Sequence, residues 1–208
     1  MESHAGPDKG FALIRRHALG GVAGNELLTM SIAGILVVLL AAEFLTLLDL
    51  RDLLGVHMIL GLILIPPVLL KIGSTGYRFA RYYTRSPAYR AKGPPFLPLR
   101  LMAPVLVASA LTMFITGVWL LVIGHKSGQV LFFHKASVIA FAGVFAIHLL
   151  AYGLRTIRTL KRAWHQQPGL PGGGLRSTLV ASSLGAGVAL AIVLSDLISD
   201  WHAAPHFG

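Results

Sequence analysis

Residues 53–72 read LLGVHMILGLILIPPVLLKI, and residues 130–153 read VLFFHKASVIAFAGVFAIHLLAYG. Each run is apolar over the ~20 residues that a helix needs to cross a hydrocarbon layer about 30 Å thick. Each also carries two nitrogen donors at the same interval: His57 and Lys71 in the first, His134 and His148 in the second. Fourteen residues of α-helix advance about 21 Å and complete almost four turns. Both donors of a run therefore share one helix face and stand at opposite membrane depths.

The rest of the chain has the same character. Its 208 residues are 55% hydrophobic and 12% charged, with a mean hydropathy of +0.72, which excludes an ordinary soluble domain. Five apolar spans are read, at 27–48, 53–72, 101–123, 130–153 and 178–198. Hydrocarbon offers no partner to unpaired backbone groups, so spans of this length are helices. The predicted fold is an all-α polytopic membrane protein, a four-helix bundle plus a fifth transmembrane helix.

Lys and Arg near helix ends are retained on the cytoplasmic side. Lys9, Arg15 and Arg16 precede the first span; Lys71, Arg78, Arg81, Arg85, Arg90, Lys92 and Arg100 flank or fill the second connection; Arg155, Arg158, Lys161, Arg162 and Arg176 lie before the fifth span. The other side receives Arg51, Lys126 and Lys135. The N-terminus is thus expected inside and the C-terminus outside. The net charge of +10 then belongs to topology and to anionic lipid at the inner surface, not to nucleic acid. The first apolar run is too long for a cleaved signal and is expected to stay as the first span. The chain has no cysteine, so disulfides, thiolate ligation, covalent haem attachment and cysteine-held iron–sulfur clusters are excluded.

The organisation follows: a cytoplasmic segment at 1–26, a four-helix core at 27–153, a cytoplasmic linker at 154–177, the fifth helix at 178–198 and an outer tail at 199–208. The connection GSTGYRFARYYTRSPAYRAKGPPFLPL mixes arginines with Tyr77, Phe79, Tyr82, Tyr83, Tyr89 and Phe96, a composition suited to an anionic headgroup surface. It is read as a membrane-hugging loop or as a cap over an inner haem or quinone pocket. QQPGLPGGG reads as a flexible linker that makes the fifth helix peripheral. In that helix Ser183, Gly187 and Ala191 recur at a spacing suited to close helix contact.

The second and fourth spans run in the same direction, so their donors fall level in pairs. His57 and His134 lie about a turn from the outer surface, where two imidazoles on neighbouring helices are the ligand set of a b-type haem. Gly61, one turn below His57, and Gly117 and Gly143 are places where a flat macrocycle can approach backbone. Phe141 and Phe145 fall between the two donor levels, and Lys135 and Arg51 are cations available to propionates. The inner level pairs His148 with Lys71. A lysine amine binds iron only after losing its proton, and otherwise extends to the headgroups. His148 then takes Met30 or Met102 as a partner or stands alone, so the expectation is one or two haems. Every one of these residues also has a plainer reading, as a packing residue or a histidine bonded to a backbone carbonyl.

Glu43, Asp49 and Asp52 lie toward the outside, and Glu43 is placed to take protons from a quinol or to sit at the interface. Pro66 and Pro67 are expected to kink the second span between the donor levels. The tail carries Asp196, Asp200, His202 and His206, read as hydrophilic and flexible with a lesser metal-binding alternative.

From DLLGVHMILGLILIPPVLLK through FFHKASVIAFAGVFAIHLL, about half the chain, the sequence resembles small bacterial cytochrome-b-type, di-haem four-helix membrane proteins. The resemblance implies non-covalent haem b held by His57, His134 and His148, with electrons passing between quinone or quinol and an outer-facing redox protein, for which a molybdenum oxidoreductase is a plausible partner. Lys71 and the fifth helix depart from that pattern. Two alternatives remain: a cofactor-free anchor, assembly subunit or small transporter, and a ferric or superoxide reductase working at an outer haem.

Overall fold

The computed structural model describes residues 20–91, 93, 97–124, 127–166 and 172–203. Lys9, Arg15, Arg16, Lys92, Phe96, Lys126, most of the QQPGLPGGG segment and His206 lie outside these residues. Helices account for nearly all of the described chain: α1 Gly21–Thr46, α2 Leu50–Tyr83, α3 Pro87–Arg90, α4 Leu97–Ile123, α5 Gly128–Gln166, α6 Gly173–Val193 and α7 Ser195–Ala203. Four apolar helical stretches are long enough to cross a membrane: 21–83, Arg100–Ile123, Gly128–Ala151 and Gly173–Val193. The protein is an all-α, multi-pass membrane bundle.

The first stretch, 63 residues long, is two helices. A single turn of 3-10 helix at Leu47–Asp49 separates α1 from α2, and the Asp49 side chain caps α2 by accepting from the Asp52 backbone N–H. Hydrogen bonds between Asn25 and Ser74 at one end, and between Thr46 and His57 at the other, show that α1 and α2 run antiparallel. These two helices are the first two expected spans, so five crossings result.

Leu28, Ile32, Leu36 and Leu40 recur every fourth residue in α1 and are buried. Ile32, Leu36 and Leu40 meet Leu64 and Val68 of α2, Ala110 of α4 and Phe141 of α5 in one cluster. Helices α4 and α5 form a second hairpin, and the two hairpins touch each other much less than the helices within each hairpin do.

At 34 and 39 residues, α2 and α5 are longer than the ~20 residues a crossing requires. The connection expected as a loop from residue 73 is therefore helical as far as Tyr83, and α5 continues to Gln166 into the expected linker. Both extensions leave the same end of the bundle, where Arg100 donates to the Tyr83 hydroxyl and stacks over its ring at 5.6 Å.

The fifth crossing is more than a peripheral addition. Ser183, Gly187 and Ala191 form its buried face, and α6 packs along α2. A Cβ at Gly187 would fall 2.9 Å from the Ile63 Cα and closer still to the Ile63 carbonyl oxygen. That carbonyl is the one to which residue 67 would donate in an unbroken helix, and Pro67 has no N–H. The glycine thus seats α6 against a carbonyl freed by the proline. Beyond α6 the expected flexible tail forms α7, whose Ile198 packs with Leu62, Leu121 and Ala191 while the Trp201 indole donates to the Leu121 carbonyl at 3.3 Å.

Gly187→Ala is expected to cost about 1–3 kcal/mol by overpacking, lowering the thermal midpoint of the detergent-solubilised protein. Gly143→Ala, whose new methyl would meet nothing within 4 Å, is expected to leave that midpoint unchanged or slightly higher. Equal midpoints for the two variants would show that α6 does not rest on α2 in this way.

Candidate functional site

His57 lies two turns into α2 and His134 two turns into α5, and both helices begin at the same end of the bundle. The structure brings the two imidazoles together, with ring centres 6.5 Å apart and planes at 84°. Their surroundings orient each ring by its Nδ1 atom. His57 Nδ1 is 2.9 Å from Glu43 Oε1 and 3.0 Å from Thr46 Oγ1. The Thr46 hydroxyl donates its proton to the Glu43 carbonyl at 2.6 Å, so toward His57 it acts as an acceptor. Two acceptors facing Nδ1 place the proton there.

His134 is held in the same sense by different groups. Its Nδ1 is 3.0 Å from the Met113 carbonyl oxygen and 3.2 Å from Thr116 Oγ1. The Thr116 hydroxyl donates to the Thr112 carbonyl at 2.6 Å, and a carbonyl only accepts, so His134 Nδ1 is also a donor. In both residues the nitrogen left for a ligand is Nε2. Metal-binding histidines show this arrangement, with the remote nitrogen fixed by a carboxylate or a backbone carbonyl. Two imidazoles on one metal, through bonds of about 2 Å, have ring centres roughly 6 Å apart, close to the separation here. The donor set therefore fits a haem iron with two nitrogen ligands. Among the described residues no group of three or more His, Cys, Asp or Glu is placed to hold a metal ion.

Two of the glycines stand beside the side chains of the histidine pair. A Cβ on Gly117 would lie 3.1 Å from His134 Cε1, so this glycine makes room for the imidazole itself. A Cβ on Gly61 would lie 3.5 Å from Glu43 Oε1, beside the carboxylate that holds His57. Gly143 faces open space, and Lys135 is exposed. Phe141 and Phe145 stack at 5.4 Å with an 11° interplanar angle, Phe141 being part of the apolar core between the two ends.

At the other end Lys71 Nζ donates to the Thr29 carbonyl at 2.7 Å. It belongs to a buried polar chain in which Asn25 donates to the Ser74 carbonyl, Thr29 to the Ser74 hydroxyl, and Ser74 to the Lys71 carbonyl, at 3.2, 3.1 and 3.0 Å. His148 stands in α5 fourteen residues past His134, as Lys71 stands in α2 fourteen past His57. Lys71 and His148 thus occupy the same end, with the lysine already engaged as a donor.

Thr46, Thr116 and the Met113 carbonyl had no signal in the linear sequence. Thr46 becomes adjacent to His57 only through the turn at Leu47–Asp49, and the Met113 carbonyl belongs to the backbone. No family model, curated protein or solved structure matches the chain.

Nitrogen-15 spectra of histidine-labelled protein are expected to show His57 and His134 with the proton on Nδ1. Gly117→Ala should displace the His134 signals, whereas Gly61→Ala, at ordinary contact distance, should leave those of His57 nearly in place. A proton on Nε2 in either residue would remove the ligand assignment for that residue.

Proposed function

We propose that this protein is a b-type cytochrome of the bacterial cytoplasmic membrane, moving electrons between the quinone pool and an outer-facing redox partner. The observation that carries the reading is the His57–His134 pair, two imidazoles 6.5 Å apart with both Nδ1 atoms engaged. A haem bound there supplies a one-electron carrier whose potential the protein tunes. The chain's own part is to hold the two rings, to keep Nε2 as the available nitrogen, and to surround the pair with helices that limit water.

In the orientation given by the basic residues, the His57 end faces outside and the helical extensions of α2 and α5 face inside. A partner at the outer end then lies nearest the histidine pair; a molybdenum oxidoreductase is one class of enzyme served by such a subunit. Arg78, Arg81, Arg85 and Arg90, with Tyr77, Phe79 and Tyr83 each half exposed or somewhat more, suit an anionic lipid surface at the inner end. Lys71 acts there as an ammonium donor bound to Thr29, and quinone is proposed as the exchangeable partner.

One observation favours a second reading, the cofactor-free anchor. Each histidine already has a protein hydrogen-bond partner, and Gly117 accommodates His134 in van der Waals contact, which a purely structural histidine also requires. A reduced-minus-oxidised spectrum with haem quantified per chain separates the two. At least one b haem per chain is expected, and His57→Ala or His134→Ala should each abolish the centre while the chain still inserts. Purified protein without haem, produced with ample haem supply, would transfer the conclusion to the anchor.

A further inference from the structure

The two histidines of the pair are held by unlike acceptors. His134 donates to the neutral Met113 carbonyl at 3.0 Å, whereas His57 faces the Glu43 carboxylate at 2.9 Å. Resting on the haem reading above, we infer that Glu43 is a positioning residue that fixes the His57 imidazole and, through that hydrogen bond, holds the reduction potential of the centre low.

Three features of the structure place Glu43 in this role. Its side chain is only 14% exposed, in a helix that crosses the membrane, where a carboxyl group unable to reach water needs a specific partner. Gly61, on the next turn of α2 below His57, leaves room at 3.5 Å for the contacting oxygen Oε1. Thr46 bridges the Glu43 backbone to His57 Nδ1, so that backbone, carboxylate and imidazole form one closed set. The second carboxylate oxygen, Oε2, is buried without a hydrogen-bond partner among the described residues. The carboxyl group's side-chain contact is thus the one that Oε1 makes with His57.

The direction of the effect follows from electrostatics. A carboxylate accepting from Nδ1–H makes the imidazole a more basic ligand. Extra electron donation and a nearby negative charge favour the more highly charged, oxidised iron over the reduced form. Removing the charge while keeping the shape should raise the potential. His134 offers an internal comparison, since its carbonyl partner carries no net charge.

The test uses the full-length protein with haem bound. Redox titration of Glu43→Gln is expected to show a midpoint raised by about tenfold in the reduced-to-oxidised ratio, equivalent to about 59 mV for one electron. Electron paramagnetic resonance of the oxidised form should still show two nitrogen ligands, with g values shifted toward a less basic imidazole. Thr46→Val, which removes the hydroxyl and keeps the carboxylate, should move the midpoint much less. If Glu43→Gln fails to assemble, Glu43→Asp provides the second measurement: the shorter carboxylate should weaken the contact and raise the midpoint part of the way. An unchanged midpoint in a haem-loaded Glu43 variant overturns the inference and leaves the haem reading intact. Absence of haem from the wild-type protein overturns the haem reading first.

Discussion

The antiparallel clasp between α1 and α2 is the interaction on which the remaining architecture depends. At one end it is fastened by Asn25, Thr29, Lys71 and Ser74; at the other by Glu43, Thr46 and His57. Between them lies an apolar stripe of Ile32, Leu36, Leu40, Leu64 and Val68. In a membrane, apolar contact alone gives little preference for one helix register over another, because lipid is as apolar as leucine. The polar contacts at the two ends supply the register, and the register is what brings the carboxylate of one helix against the histidine of the next. Structural specificity and the construction of the site arise from the same hydrogen bonds.

A second constraint comes from the backbone. Pro66 and Pro67 remove two helical donors in the middle of α2, and the freed carbonyls lie where hydrocarbon gives no compensation. At Ile63 the molecule meets this by bringing Gly187 of α6 against the carbonyl, a close approach that only a residue without a side chain permits. The proline pair therefore has a structural consequence, a docking position for the fifth crossing, that is separate from any adjustment of spacing between donor levels. It also explains why Ser183, Gly187 and Ala191 face inward while Ile192 and Val193 face out.

Much of this was legible in the sequence, for identifiable reasons. Apolar length defined the crossings, and the equal spacing of donors in the second and fourth spans predicted that His57 and His134 would stand at the same end; the ring contact in the structure agrees with that geometry. Less legible was everything that depends on a partner brought close by folding. Gly117 had been read as an approach for a macrocycle, but its space is taken by the His134 ring. The segment after Lys71 was read as loop because its aromatic and basic residues suit an interface, yet Gly73 and Gly76 weaken a helix without ending it, and α2 runs through them to Tyr83. The tail from residue 199 was read as flexible because it is polar, yet helix continues to Ala203, and Trp201 packs in the same cluster as Ile198 three residues before it.

The two ends of the bundle are chemically unequal, and the inequality bears on how many centres it can hold. At the His57 end both nitrogens of the pair that face acceptors are Nδ1, which leaves the Nε2 atoms for a ligand without cost to any existing hydrogen bond. At the Lys71 end the amine is itself the donor to Thr29. For Lys71 to bind a metal it must lose a proton, which exchanges a charge-assisted hydrogen bond to Thr29, of a kind that contributes about 1.5–3 kcal/mol, for a neutral one of about 0.5–1.5 kcal/mol. A haem at the Lys71 end has to offset this loss, whereas one at the His57 end does not. The same sequence spacing in two helices thus leads to different surroundings: carboxylate and carbonyl acceptors engage the two imidazoles at one end, and a carbonyl engages the lysine at the other.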